Sequence, residues 1–172
     1  MRLAWGFLLI VLLLIGPSGV SGQWRHFGEN TPSASVQSFP HQIVAAHNAV
    51  RERVGAKPLT WSAQLATVAQ KWADTLLARN QFEHSHNRLY GESLFEITGG
   101  ASTPKDVIED WASESKSYDY KLNDCSGVCG HYTQIVWAST KSVGCAVARK
   151  PGHEVWVCEY EPPGNYVGER PY

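Results

Sequence analysis

Two apolar segments near the end of the chain, residues 143–149 and 154–160, constrain the fold more than any other feature. They flank a four-residue turn that contains Pro151 and Gly152, and this arrangement is typical of a β-hairpin. A hairpin that is symmetric about Pro151 and Gly152 places the small and branched apolar side chains of both strands on one face. The sequence therefore predicts an antiparallel strand pair that packs against a core.

The same register bears on the disulfide bonds. It places Cys145 directly opposite Cys158, at a separation that a disulfide can span. Four cysteines allow three pairings. The register favours Cys145–Cys158, and this pairing leaves Cys125–Cys129 as a short local loop.

The N-terminal residues predict a secretory signal peptide. Arg2 gives a positive start, residues 3–15 form an almost unbroken apolar run, and small residues precede Gln23. The run is shorter than the roughly 20 residues that a membrane span needs. We expect residues 1–22 to be removed after Gly22, leaving a secreted, extracellular chain without a transmembrane segment, in a compartment where disulfides persist.

The composition indicates a globular protein that does not bind nucleic acid. The net charge is −1, and removing Arg2 leaves 14 basic and 16 acidic residues, a charge of −2. This balance gives no general attraction to polyanions. Residues 23–38 are polar and aperiodic, which predicts a flexible N-terminal arm, and residues 39–172 show no linker and predict one domain. We expect this domain to be a monomer.

Three amphipathic segments predict helices. Ser62 is a candidate N-cap of the second helix, and Thr103 followed by Pro104 is a candidate start of the third. Residues 92–97 predict a strand, and residues 131–137 a short helix. Together with the hairpin, these elements predict an α+β domain. The apolar stripes are Ile43, Ala46, Val50 and Val54; Leu65, Val68, Ala69, Trp72 and Leu76; and Val107, Ile108 and Trp111, with Glu114 on the third stripe.

Two strings near the C-terminus resemble the signatures of the CAP superfamily, which includes the plant pathogenesis-related-1 proteins. They are GHYTQIVW at residues 130–137 and CEYEPPGNY at residues 158–166. The resemblance implies that residues 39–172 form a CAP (SCP) domain with a three-layer α-β-α sandwich and a small antiparallel sheet. Shorter matches in the family's order are His47-Asn48 with Arg51, Pro58-Leu59-Thr60-Trp61, Tyr90-Gly91-Glu92 and Trp111-Ala112-Ser113-Glu114.

The resemblance also implies a cleft with four polar residues. By motif they are His84, Glu92, Glu114 and His131, and His86 is an alternative to His84. Two neutral imidazoles can bind zinc or another divalent cation, so His84 and His131 are the candidate metal ligands, and any such ion would be weakly bound. The alternative is a hydrogen-bonded polar cluster that joins helix to sheet without metal. No cofactor is required.

Three further residues need comment. Glu159 stands where the family usually has Asn. His47 lies beside the first apolar stripe, where a lone His usually packs or caps, so we leave it out of the site. His153 is placed in the hairpin turn, where a surface role suffices.

The resemblance favours non-enzymatic binding of a sterol or fatty-acid-like lipid, with a role in defence or antimicrobial action. Tyr118 and Tyr120 are candidates for lining a lipid groove, although loop anchoring would also explain them. One alternative is a protease or other hydrolase that uses the four cleft residues, through metal-activated water or His/Glu acid–base chemistry. Another is a precursor whose residues 162–172 are released as a signalling peptide. If they are not released, the same residues are expected to form a tail packed over the sheet.

Overall fold

A computed structural model describes residues 37–172 of the chain. The predicted signal peptide and residues 23–36 of the predicted arm lie outside the described residues. Within residues 37–172, no helix has the length and apolar character to cross a membrane. The elements are α1 Phe39–Glu52, β1 Thr60–Trp61, α2 Ala63–Arg79, β2 Gly91–Thr98, α3 Pro104–Ser113, a 3₁₀ turn Glu114–Ser117, β3 Tyr118–Asp119, β4 Asp124–Cys125, α4 Gly130–Ile135, β5 Ser142–Lys150 and β6 His153–Glu161.

Local sequence signals account for where the second and third helices begin. The Ser62 hydroxyl accepts a hydrogen bond from the Leu65 N–H (3.3 Å), as the N-cap prediction requires. Thr103 and Asp106 form a reciprocal capping box around Pro104 at the first helical position. Both predicted helix starts are confirmed.

The main sheet has the strand order β1-β5-β6-β2, with β1 parallel to β5 and the other pairs antiparallel. The predicted hairpin register is confirmed, because Cys145 faces Cys158 and Ala146 faces Val157 across β5 and β6. The structure joins Cys145 to Cys158 and Cys125 to Cys129. Strands β3 and β4 form a separate small ladder.

Helices cover both faces of this sheet, which confirms the three-layer α-β-α sandwich. One face packs against α2 through a cluster that includes Ala69 and Leu76. The other packs against α1, α3 and α4 through a cluster that includes Ile43 and Trp111. Gly144 lets α2 approach β5, because a Cβ there would lie 2.2 Å from the backbone nitrogen of Ala66.

The last eleven residues lie against α4 and the loop before it rather than over the sheet. The Ala138 N–H donates to the Pro171 carbonyl (2.6 Å). The Tyr172 ring stacks on Tyr120 at 4.7 Å, and the Tyr120 hydroxyl donates to a Tyr172 backbone oxygen (2.6 Å). The Arg170 guanidinium donates to the Tyr120 carbonyl. The tail is therefore docked at its C-terminal end.

Candidate functional site

Of the four predicted cleft residues, His84 and Glu92 form one pair. Glu92 is the second residue of β2, and its Oε1 lies 2.7 Å from His84 Nδ1 and accepts the Ser85 N–H at 2.9 Å. The Glu92 side chain is 7% exposed and that of His84 63%. The hydrogen bond to Glu92 raises the pKa of His84. Burial would raise the pKa of Glu92, but the hydrogen bonds from His84 and Ser85 outweigh it and lower that pKa.

Glu114 and His131 form the second pair. Glu114 Oε1 lies 2.6 Å from His131 Nδ1, and Oε2 accepts the backbone N–H groups of His131 (2.9 Å) and Tyr132 (3.2 Å). The His131 imidazole also stacks on the Trp111 ring at 5.5 Å. Glu114 lies one residue past the end of α3, so this pair joins α3 to the first turn of α4. The pair therefore has a structural role whatever else it does.

The two pairs fit a metal ion only in part. Each histidine turns Nδ1 to a carboxylate and has no hydrogen-bond partner at Nε2 among residues 37–172. This is the usual orientation of a metal-binding imidazole. The described residues nevertheless contain no group of three or more His, Cys, Asp or Glu side chains that could hold a metal. His84 and His131 could thus supply at most two protein ligands.

The structure places His86 and Ser85 differently from His84. His86 is exposed and makes no side-chain hydrogen bond within the described residues, so it does not replace His84 beside Glu92. The Ser85 hydroxyl is buried and has no hydrogen-bond partner there. An activated serine needs an aligned hydrogen bond to a base, and the Ser85 hydroxyl makes none in the described structure although the Glu92 carboxylate is adjacent.

Sequence reasoning missed a buried partner of Glu92. Glu159 is its register partner across β2 and β6 and is 1% exposed. Burial first, and then the negative charge and hydrogen bond of Glu92, raise the pKa of Glu159 to about 8. Glu92 Oε2 and Glu159 Oε1 are both buried without a donor in the described structure, and one shared proton would satisfy both. Glu159 stands where the family usually has Asn, and this difference was the sequence signal that could have pointed to the buried pair.

Two other histidines, His47 and His153, have structural roles. His47 is fully buried between the Ile43 carbonyl (2.9 Å) and the Tyr160 hydroxyl (3.0 Å), and burial lowers its pKa to about 4. The prediction of a surface role for His153 in the turn is wrong. β6 begins at His153, so its side chain is held against the sheet, 8% exposed, with Nε2 2.6 Å from Glu96.

Tyr118 and Tyr120 line an open cleft of about 630 Å³ formed by residues 116–126. The Tyr118 hydroxyl donates to Asn123 (2.7 Å), and Tyr120 is stacked under Tyr172. Both rings therefore also anchor the loop and the tail.

A second, more apolar groove of about 340 Å³ lies between α1 and α3. Its apolar lining includes Ala49 and Ile108, and two cations, Arg53 and Lys105, lie on its rim. Lys105 Nζ lies 3.6 Å from Glu109 Oε1. Arg53 has no ion-pair partner among residues 37–172. The full lining is Gln37, Gln42, Ala45, Ala46, Ala49, Val50, Arg53, Lys105, Ile108 and Glu109.

The sandwich and the two His–Glu pairs define the class of this protein. Its fold is that of venom-allergen-like protein 4 from Schistosoma mansoni, with a TM-score of 0.65 and 26% identity over 80% of this chain and 95% of that one. The profile of the cysteine-rich secretory protein (CAP) family matches residues 44–160, and the chain belongs to this family.

Plant relatives agree with this assignment. Pathogenesis-related protein 1A of Nicotiana tabacum is 44% identical over 143 residues, which cover 81% of this chain and 84% of the relative. Pathogenesis-related protein PR-1 of Medicago truncatula is 39% identical over 172 residues, which cover 98% of this chain and 97% of the relative.

Proposed function

We propose that this chain is a secreted, non-enzymatic lipid-binding protein that acts in defence. Pathogenesis-related relatives support the defence role. The sequence of residues 1–22 and the two disulfides support secretion.

The observation that carries the proposal is the α1–α3 groove. Its volume of about 340 Å³ falls within the range of small-molecule sites. Exposed Ala45 and Ala49 and half-buried Ala46 offer aliphatic surface to a single acyl chain. Arg53 at the rim offers a cation to an ionised carboxylate. A fatty-acid-like lipid matches both features.

The absence of an activated nucleophile in the described site supports binding over hydrolysis. Ser85 Oγ makes no hydrogen bond to a base, and both histidines use Nδ1 to contact carboxylates. The loop around Tyr118 and Tyr120 is the alternative place for the lipid.

Titration with a fluorescent fatty acid tests the proposal. Ala49→Phe fills the groove and should weaken binding about tenfold or more, because the acyl chain loses its apolar contact surface. Ala78→Phe makes the same change at an exposed helical position of α2 outside the groove, and should bind like the parent. Equal affinities in all three proteins would contradict the groove assignment.

The Arg53 contribution has its own test. Arg53→Gln should weaken binding of the fatty acid about tenfold, because a hydrogen bond to a charged group is lost. It should leave binding of the matching fatty alcohol unchanged. A similar loss for both ligands would show that Arg53 does not contact the carboxylate.

A further inference from the structure

Four apolar side chains are exposed at one end of the domain. Leu122, Val128 and Val167 are 74%, 68% and 104% exposed, and Tyr166 is 50% exposed. They come from three separate segments, the β3–β4 loop, the turn before α4 and the C-terminal tail. We call these four residues the apolar end surface.

The structure holds these segments together. Arg170 donates to the Tyr120 carbonyl and to the Lys121 carbonyl (3.1 Å), and Asn123 Nδ2 donates to the Glu169 carbonyl (3.2 Å). Val128 and Tyr166 line the same cleft of about 420 Å³. The apolar side chains are thus presented on anchored loops, so little order has to be gained when they bind.

The polar groups around this cleft already form hydrogen bonds within the protein. Asn123 accepts from Tyr118, Thr133 donates to Asn165 (2.7 Å), and Asn165 Nδ2 donates to the Gly130 carbonyl (2.8 Å). Few side-chain amides or hydroxyls are left to bind a sugar or a polar peptide. The surface therefore offers mainly apolar contact.

The charge around the apolar end surface is balanced. Residues 116–128 and 164–172 carry three cationic and three acidic side chains. An anionic surface would gain no net attraction from this end. The charged residues are Lys116, Lys121, Arg170, Asp119, Asp124 and Glu169.

We infer that the apolar end surface docks on neutral phospholipid bilayers, with Leu122, Val128 and Val167 inserted at the boundary between headgroups and acyl chains. Isolated aliphatic tips on neighbouring loops suit the interface of a bilayer, and the half-exposed Tyr166 suits the headgroup level. The inference rests on the proposed function, since a lipid-binding protein must reach a lipid source.

Tyr132 lies between the α1–α3 groove and the C-terminal tail. Tyr132 connects the two regions, because its hydroxyl lies 3.2 Å from that of Tyr172. Burial raises the pKa of the Tyr132 phenol, and the nearby charge of Arg53 opposes this effect.

Flotation with phosphatidylcholine vesicles tests the inference on the full chain from a secreting host. Replacing Leu122, Val128 and Val167 together by Asp should reduce the vesicle-bound fraction about tenfold or more, since three apolar insertions become charged. The matched control replaces Phe82 and Leu89 by Asp, because they are 47% and 73% exposed on a different loop. This control should float like the parent. The three proteins are identical before residue 82, so their differences report on the loops.

Three results would overturn the inference. They are no flotation of the parent, equal loss in the control, or binding that needs anionic lipid and disappears in high salt. The last result would indicate an electrostatic contact, and the first would leave a protein partner as the occupant. Fatty-acid titration in solution without vesicles keeps the two proposals apart. The triple variant should retain parental affinity there, whereas Ala49→Phe should lose that affinity but still float.

Discussion

Glu92 and Glu159 face one another across β2 and β6, and each buries a carboxyl oxygen that has no hydrogen-bond donor in the described structure. Glu92 is fixed as the ionised member by His84 Nδ1 and the Ser85 N–H. Glu159 therefore holds the proton that lets the two carboxyl groups lie together. Glu159, beside the predicted site, is thus the protonated member of the pair at neutral pH.

This pair makes stability depend on pH. The pKa of Glu159 rises from 4.5 to about 8 on folding, so the folded state keeps a proton that the unfolded state has lost. Between these pH values the free energy of unfolding should fall as pH rises. The raised pKa of His84 acts in the same direction, since its stabilisation is lost as pH rises through the folded value.

Glu159→Gln should remove the part of the pH dependence of stability that comes from Glu159. The amide N–H can donate to Glu92 without a bound proton, so the variant should be more stable than the parent at about pH 8, by on the order of 1–3 kcal/mol. The gain should shrink toward about pH 5. Denaturant unfolding across this range measures it, with Glu161→Gln, an exposed position on the same strand, as control. A gain that does not change with pH would contradict the shared proton.

Zinc binding should depend on His84 and His131 rather than on His86. We expect weak binding, because at most two protein ligands are present, and the affinity should fall as pH drops and the imidazoles become protonated. Calorimetric titration should show that His84→Ala and His131→Ala abolish zinc uptake. His86→Ala serves as the matched control and should bind like the parent. Loss of binding in His86→Ala instead would assign the ligand to His86.

The disulfides should contribute unequally to stability. Cys145–Cys158 closes a sequence separation of 13 residues and Cys125–Cys129 one of 4. In the chain-entropy description, their loss should cost about 3 and about 2 kcal/mol. Replacing each pair by Ala and measuring denaturant unfolding gives the two values. A larger loss for the shorter loop would show that local packing, rather than loop closure, dominates.

The elements that could be predicted from sequence are those fixed by local chemistry. Ser62 and Thr103 start helices through hydrogen bonds within one turn, and the turn around Pro151 fixes the β5–β6 register. Glu159 was not placed beside Glu92, because no short turn fixes the pairing of β2 with β6. Strand β6 begins one residue earlier than its apolar pattern, and this extension buries His153.

The α1–α3 groove could not be predicted from the sequence either. Ala49 and Ile108 each belong to a predicted helix, but the gap between the two helices depends on how both pack on the sheet. Tyr118 and Tyr120 were visible candidates because they are aromatic. An exposed alanine on a helix gives no comparable signal.

Photo-crosslinking with a diazirine-bearing long-chain fatty acid tests the central claim most directly, because it reports both binding and position. The account predicts saturable labelling of peptides from residues 45–53 and 105–109, suppressed by excess unlabelled fatty acid and by Ala49→Phe. Saturable labelling confined to residues 116–126 would move the site to Tyr118 and Tyr120 and contradict the groove. Labelling that does not saturate would contradict lipid binding itself.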